Sequence, residues 1–302
     1  MADAQSISGL TTEAINPKSA NLDALDALQL VKLINSEDQL VADAVLAAAE
    51  SLAAAIECVV QRLRSGGRLI YIGAGTSGRL GVLDASECPP TYRTPPSLVV
   101  GLIAGGDVAL RTAVEGAEDS LTQAAEDLRR IELNSRDCVM GIASSGRTPY
   151  VIGGLRYARS LGCATLGHTC NAASEMTGEC DILITTVVGP EIISGSTRMK
   201  SGTATKLVLN TLTTATMVRL GKTYGNLMVD LRATNSKLVL RSERLVMRLT
   251  GLSQADAAAV LHQANGEVKA AVVMHHRQVT YQAAVELLAQ ADGQLRQVIG
   301  DR

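Results

Sequence analysis

The chain has 302 residues, 46% of them hydrophobic, yet it contains no Phe, no Trp and only six Tyr. Its cores must therefore be built from Ala, Leu, Val, Ile and Met, and with 2% aromatics and a net charge of −2 it lacks the stacking surface and positive field of a nucleic-acid binder. The length suits about two domains, and 19% charged residues describe an ordinary globular chain, neither disordered nor fibrous.

Met1 to Leu10 hold no basic stretch followed by an apolar one, and the most apolar helical stretch, Val41 to Val60, is interrupted by Asp43, Glu50 and Glu57. Neither export nor a membrane span is expected, which places the chain in the cytoplasm. The six cysteines (Cys58, Cys88, Cys138, Cys163, Cys170, Cys180) form no C-x-x-C pair and read as reduced small hydrophobes. No metal site is expected, and His275 and His276, being adjacent, point to different faces of a helix.

Residues 1–22 are polar and irregular; Leu25, Leu28, Leu30, Val31 and Ile34 then recur at helical spacing up to Asn35. Ser36-Glu37-Asp38-Gln39 fits a capping box opening an Ala-rich helix that runs to Arg64 and stops at Ser65-Gly66-Gly67. From Arg68 the texture changes to short apolar runs: Leu69–Ile72, Val99–Ala104, Cys138–Ala143, Ala164–Gly167 and Ile182–Val187. Helical patterns fall between them at Gly78–Glu87, where Pro89 and Pro90 end the helix, at Glu118–Ile131 and at Tyr150–Leu161. Strands alternating with helices predict an α/β fold, a parallel sheet in an αβα sandwich, with ligands outside the carboxyl ends of the strands. After Pro190 there is no proline, and the chain reads as helices over Thr203–Leu220, Asn235–Thr250, Ser253–Ala264, Glu267–His276 and Thr280–Gln290. The organisation is thus a helical N-terminal arm (1–60), an α/β domain (61–222) and an all-α module (223–302). Lys237, Arg241, Arg244 and Arg248 make a basic stripe on the first helix of that module, either a solvated face or a docking face for an acidic partner surface.

Three polar loops carry the candidate chemistry. The first strand ends in Gly73-Ala74-Gly75-Thr76-Ser77-Gly78-Arg79, a G-x-G-x-x-G match. No acid stands at the end of the second strand, where a dinucleotide site wants one, so Thr76, Ser77 and nearby backbone N–H groups suit a phosphate monoester better. The third strand ends in Gly141-Ile142-Ala143-Ser144-Ser145-Gly146-Arg147-Thr148-Pro149, which offers the hydroxyls of Ser144, Ser145 and Thr148 at another helix start. Ser196, Arg198 and Lys200 sit in a third turn, where the two cations serve either an anionic ligand or a structural ion pair. Two acids, Glu87 and Glu118, fall on the same carboxyl edge, where a pair of carboxylates beside a phosphate site can act as general base and general acid.

Gly73 to Gly81 running into Asp84-Ala85-Ser86-Glu87-Cys88-Pro89-Pro90-Thr91-Tyr92 resembles the N-acetylmuramic acid 6-phosphate etherases, a family within the sugar isomerase (SIS) superfamily. Val114–Ser120, Gly146–Tyr150, Ser196–Ala204 and Gly225–Asp230 carry the same resemblance, which covers nearly the whole chain. Asp26-Ala27-Leu28-Gln29 stands where family members read Ser-Thr-Leu-Glu, and Ser144-Ser145-Gly146 where they read Ala-Ser-Gly. The resemblance implies a SIS fold with a three-helix module of ubiquitin-associated type over Thr250–Met274. It implies cleavage of the lactyl ether of N-acetylmuramic acid 6-phosphate, without metal or cofactor, in a homodimer with shared sites. It also implies Glu87 as proton donor and Glu118 as second catalytic acid. Rival readings are a non-catalytic sugar-phosphate sensor, a nicotinamide-dependent oxidoreductase and an aldose–ketose isomerase.

Overall fold

The computed structural model describes residues 10–231 and 236–301. Contacts divide the chain into two compact units, Met1–Ser86 with Ser97–Thr213, and Glu87–Pro96 with Thr214–Arg302. The division passes through two continuous helices, α4 (Gly75–Tyr92) and α7 (Lys200–Arg219).

The first unit opens with a helical arm of three helices, α1 (Ala27–Asp38), α2 (Leu40–Ala47) and α3 (Ala49–Arg64). The capping box lies ten residues earlier than expected. Asp26 accepts from Gln29 N at 2.8 Å while the Gln29 side chain accepts from Asp26 N at 2.9 Å, so Asp-x-x-Gln does here what Ser-x-x-Glu does elsewhere. Ser36 instead sits inside α1 with its hydroxyl on Leu33 O, and the predicted single helix to Arg64 breaks at Ala48, which leaves helical geometry at φ −94°, ψ 12°. Along α3, Leu52, Ala55, Val59 and Leu63 recur at spacings of three and four and form its buried face.

The sheet has five parallel strands, β1 (Leu69–Gly73), β2 (Val99–Ile103), β3 (Cys138–Ile142), β4 (Ala164–Thr169) and β5 (Ile182–Thr185), in the order β2-β1-β3-β4-β5. Side chains alternate along β1. Ile70 and Ile72 enter one core with Leu128, Val151 and Leu155 of the helices α5 (Gln123–Arg130) and α6 (Pro149–Ser160). Tyr71 points the other way, its hydroxyl donating to Asp84 of α4. Helices therefore cover both faces, and burial on two sides explains why β1 and β3 read as unbroken apolar runs. In register, Gly73 pairs with both Ile103 and Ile142, so the loops after β1, β2 and β3 leave the sheet at one edge.

Three expectations are corrected here. The helix after β1 starts at Gly75 rather than Gly78 and runs through Pro89 and Pro90 to Tyr92, closed by Arg93 N donating to Pro89 O at 3.0 Å. The two prolines remove two amide donors without ending the helix. The helix expected over Glu118–Ile131 is a 3₁₀ turn at Ala117–Asp119 followed by α5 from Gln123, because Ser120 Oγ accepts from Gln123 N and turns the chain between them.

In the second unit α8 (Ser236–Thr250), α9 (Gln254–Gln263), α10 (Val268–Arg277), α11 (Tyr281–Gln290) and α12 (Leu295–Ile299) enclose a core of Val246, Leu261, Val272, Leu288 and Val298. Each such aliphatic side chain contributes about 1.5–3 kcal/mol on burial. The predicted start of α8 at Asn235 lies outside the described residues. Lys237, Arg241, Arg244 and Arg248 are all exposed along α8. No helix among the described residues is long and apolar enough to cross a membrane.

Candidate active site

The strand order reverses between β1 and β3, and in an open parallel sheet the crevice at that point is where ligands sit. The two loops flanking it are the Gly73–Arg79 and Ser144–Thr148 segments.

At the first, Gly78 packs so close to the strand that a Cβ there would lie 2.7 Å from Gly73 O and 2.6 Å from Ile103 Cγ1. That contact brings α4 down onto the strand ends. Thr76 and Ser77 then occupy the first turn of α4, whose leading amides have no partner within the helix and carry its positive dipole end. Ser77 is buried and Thr76 half-buried.

The second loop is fixed from beneath. Ser144 O accepts from Cys170 N and Asn171 Nδ2, both at 3.0 Å. Gly146 has φ +71°, and a Cβ there would meet Ser174 Oγ at 2.2 Å, so neither its backbone nor its space admits another residue. Ser145 Oγ accepts from Arg147 N. Thr148 is the N-cap of α6 but its hydroxyl makes no capping bond, which leaves it available beside Pro149 at the helix start.

The third turn differs. Glu191, fully buried, accepts from Lys200 N at 3.0 Å and Ser201 N at 2.9 Å, so the dipole end of α7 already holds a carboxylate. Lys200 Nζ lies 2.6 Å from Glu37, which also takes Lys18 at 2.8 Å and Asn16 at 2.9 Å. Burial alone would raise the Glu37 pKa, but these donors outweigh it and hold the group down at about 2. Of the alternatives open for Lys200, the ion pair is the one formed; its ammonium joins the arm to this turn. Ser196 is half-buried, and exposed Arg198 lines an apolar cavity of about 470 Å³ with Leu22, Leu30, Ile34 and Ile192.

Glu118 is exposed and, among the described residues, has no hydrogen-bond or ionic partner. It lines a cavity of about 220 Å³ with Gly75, Arg79, Ala104, Val114 and Glu115, directly over the ends of β1 and β2. The structure thus brings Glu118 together with the start of α4. Glu87 is exposed on the far half of α4 and belongs to the other unit.

Tyr71 and Tyr150 are both buried: their hydroxyls donate to Asp84 at 3.0 Å and Asp127 at 2.9 Å, and burial pushes the Tyr150 phenol upward. Burial likewise raises Asp84, although Asn210, Tyr71 and Thr213 all donate to it. Sequence reasoning assigned no role to Glu191, to Glu37 beyond its supposed cap, or to Arg79. No local spacing signals the first two, since Glu37 meets Lys200 across 163 positions. Arg79 stood inside the quoted motif, and only its place on the cavity wall marks it out.

Comparison with known proteins agrees with this architecture. Residues 51–159 match the glucokinase regulatory protein N-terminal SIS domain, residues 120–215 the SIS domain, and residues 225–286 the C-terminal lid domain of glucokinase regulatory protein. The chain is 58% identical over 290 residues to a Rhodopirellula baltica protein, covering 96% of each. It is 52% identical to one from Rhizobium rhizogenes, covering 96% of this chain and 94% of that one, and 53% identical to one from Cronobacter sakazakii, covering 96% and 98%. All three relatives are named N-acetylmuramic acid 6-phosphate etherase.

Proposed function

Because the chain belongs to the N-acetylmuramic acid 6-phosphate etherase family and is an enzyme of that kind, acting in amino-sugar recycling, we propose that it converts this substrate and water to N-acetylglucosamine 6-phosphate and D-lactate. In the open-chain aldehyde the C2 proton lies α to the carbonyl. Glu118, as carboxylate, removes it; Glu87, as acid, protonates the departing lactate oxygen as the C3–O bond breaks. Water then adds at C3 of the unsaturated aldehyde, giving its proton to the Glu87 carboxylate, while Glu118 returns a proton to C2. Both carboxyl groups end as they began.

The observation that carries this reading is the Glu118 carboxylate, unpaired among the described residues, on a cavity shared with the first turn of α4. The amides and hydroxyls of Thr76, Ser77, Ser144, Ser145 and Thr148 receive the 6-phosphate, with Ser196 and Arg198 on the neighbouring turn. The reading takes the enzyme as a homodimer in the cytoplasm, with Glu87 supplied by the second copy.

The test is to incubate purified protein with N-acetylmuramic acid 6-phosphate and assay D-lactate. Release above a no-enzyme control is expected. Its absence from folded protein that still binds the sugar phosphate would favour the sensor reading. Mixing inactive Glu87→Gln and Glu118→Gln proteins under exchange conditions should restore lactate release, because one mixed site then carries both acids; no restoration from mixed dimers would place both acids in one chain.

A further inference from the structure

The Glu118 cavity contains a cation that the reaction scheme does not use. Arg79 lies one turn into α4 and forms part of the cavity wall with Glu118 and Glu115. Its guanidinium is held from one side: Nε donates to Leu110 O at 3.1 Å and Nη2 to Ala109 O at 2.8 Å. Those two bonds occupy the side edge of the planar group. The end-on edge, made by Nη1 and the second hydrogen of Nη2, has no partner among the described residues. A guanidinium pinned in this way is a rigid fork, and the matching ligand for a rigid fork is a planar oxyanion taken in two parallel hydrogen bonds.

We propose that Arg79 binds the carboxylate of the lactyl ether, and so distinguishes the ether substrate from sugar phosphates that lack it. The inference rests on the etherase reading. Two considerations select the carboxylate over the phosphate. The phosphate candidates are hydroxyls and amides at the starts of α4 and α6, whereas Arg79 is directed by the Ala109 and Leu110 carbonyls, on the segment beyond β2 that leads to Glu118. Glu118 acts at C2, the lactyl group hangs from C3, and the phosphate is at C6, so the anion nearest the wall that Glu118 shares is the lactyl carboxylate. Without a cation, Glu115 and Glu118 would repel that anion; Arg79 supplies the compensating charge on the same wall.

The experiment measures binding by calorimetry on the Glu118→Gln enzyme, so that turnover does not interfere. Arg79→Lys, which keeps the charge but loses the fork, and Arg79→Gln are compared with Arg79 for two ligands, N-acetylmuramic acid 6-phosphate and N-acetylglucosamine 6-phosphate. The expected result is a loss of about ten-fold or more for the first with little change for the second. An equal loss for both would reassign Arg79 to the phosphate, and no loss for either would remove it from the site; each overturns the proposal. A second arm uses the unsubstituted Arg79 protein and the lactyl amide of the substrate, in which the carboxylate is neutralised. It should bind about ten-fold or more weakly; equal affinity overturns the proposal whatever the variants do. D-lactate release by the wild-type enzyme with equal affinities would sink the Arg79 assignment alone, whereas no release would sink the etherase reading first.

Discussion

At the amino end of the sheet, Asp137 is 1% exposed and accepts from Arg68 N, Nε and Nη2 and from Asn134 N and Nδ2, at 2.7 to 3.2 Å. At the carboxyl end of the same unit, Glu118 is exposed and accepts nothing among the described residues. Both acids stand on connections next to strands, yet one is surrounded by donors that order a chain reversal and the other is left facing a cavity. A carboxylate whose oxygens are taken up by five donors has little left to offer a ligand, whereas one that faces a cavity can reach it. The contrast separates an acid that holds the fold from one left open to a ligand.

The comparison is tested most severely at Glu118. Glu118→Gln should lower the rate of D-lactate release by about 10²–10⁴-fold with the unfolding midpoint unchanged, since no folded-state bond is removed. Activity within a few-fold of wild type would end the assignment of the carboxyl edge. Asp137→Ala should do the reverse, costing about 3–5 kcal/mol in urea unfolding by taking the counter-ion from Arg68 and leaving the Asn134 backbone donor without its acceptor, while the surviving folded fraction keeps its KM. A cost no larger than that of an exposed pair, about 1 kcal/mol or less, would show that the amino edge is not held this way.

Glu37 sharpens the same point more gently. Its pKa falls from 4.5 to about 2 on folding, so its contribution to stability is complete above the unfolded value and is lost as pH falls from about 4.5 to about 2. The difference in stability between wild type and Glu37→Gln should therefore shrink across that window in acid titrations followed by circular dichroism. A difference independent of pH there would mean the carboxylate is not ionised against Lys200.

Much of the α/β framework was legible because buried parallel strands leave a local trace: five short apolar runs, the first three followed at once by Gly or Ser, appear as the five strands within one or two residues. The two loops at the switch point were legible for the same reason, since their glycines answer to local geometry. What went astray was also local in kind. Ser36-x-x-Gln39 and Asp26-x-x-Gln29 both fit a capping box, and nothing within four residues distinguishes them; Glu37 is claimed by Lys200 and Asn16, so its helix turn is interior rather than initial. The prolines at 89 and 90 looked like a stop, yet helical contacts on either side carry the chain to Tyr92.

From sequence alone come the parallel sheet, the absence of an aromatic stacking surface, the candidate acids and the phosphate-type loops, because each depends on residue type and short spacing. The tertiary structure alone decided which charges remain available. Lys200 was withdrawn by Glu37, the start of α7 was filled by Glu191, and the tyrosines were drawn inward by Asp84 and Asp127. Arg79, held along one edge among the described residues, was turned toward the cavity that Glu118 lines. Pairing of charges is a matter of distance in space, and the partners here lie from nine to 163 residues apart in the chain, beyond any pattern a local reading can weigh.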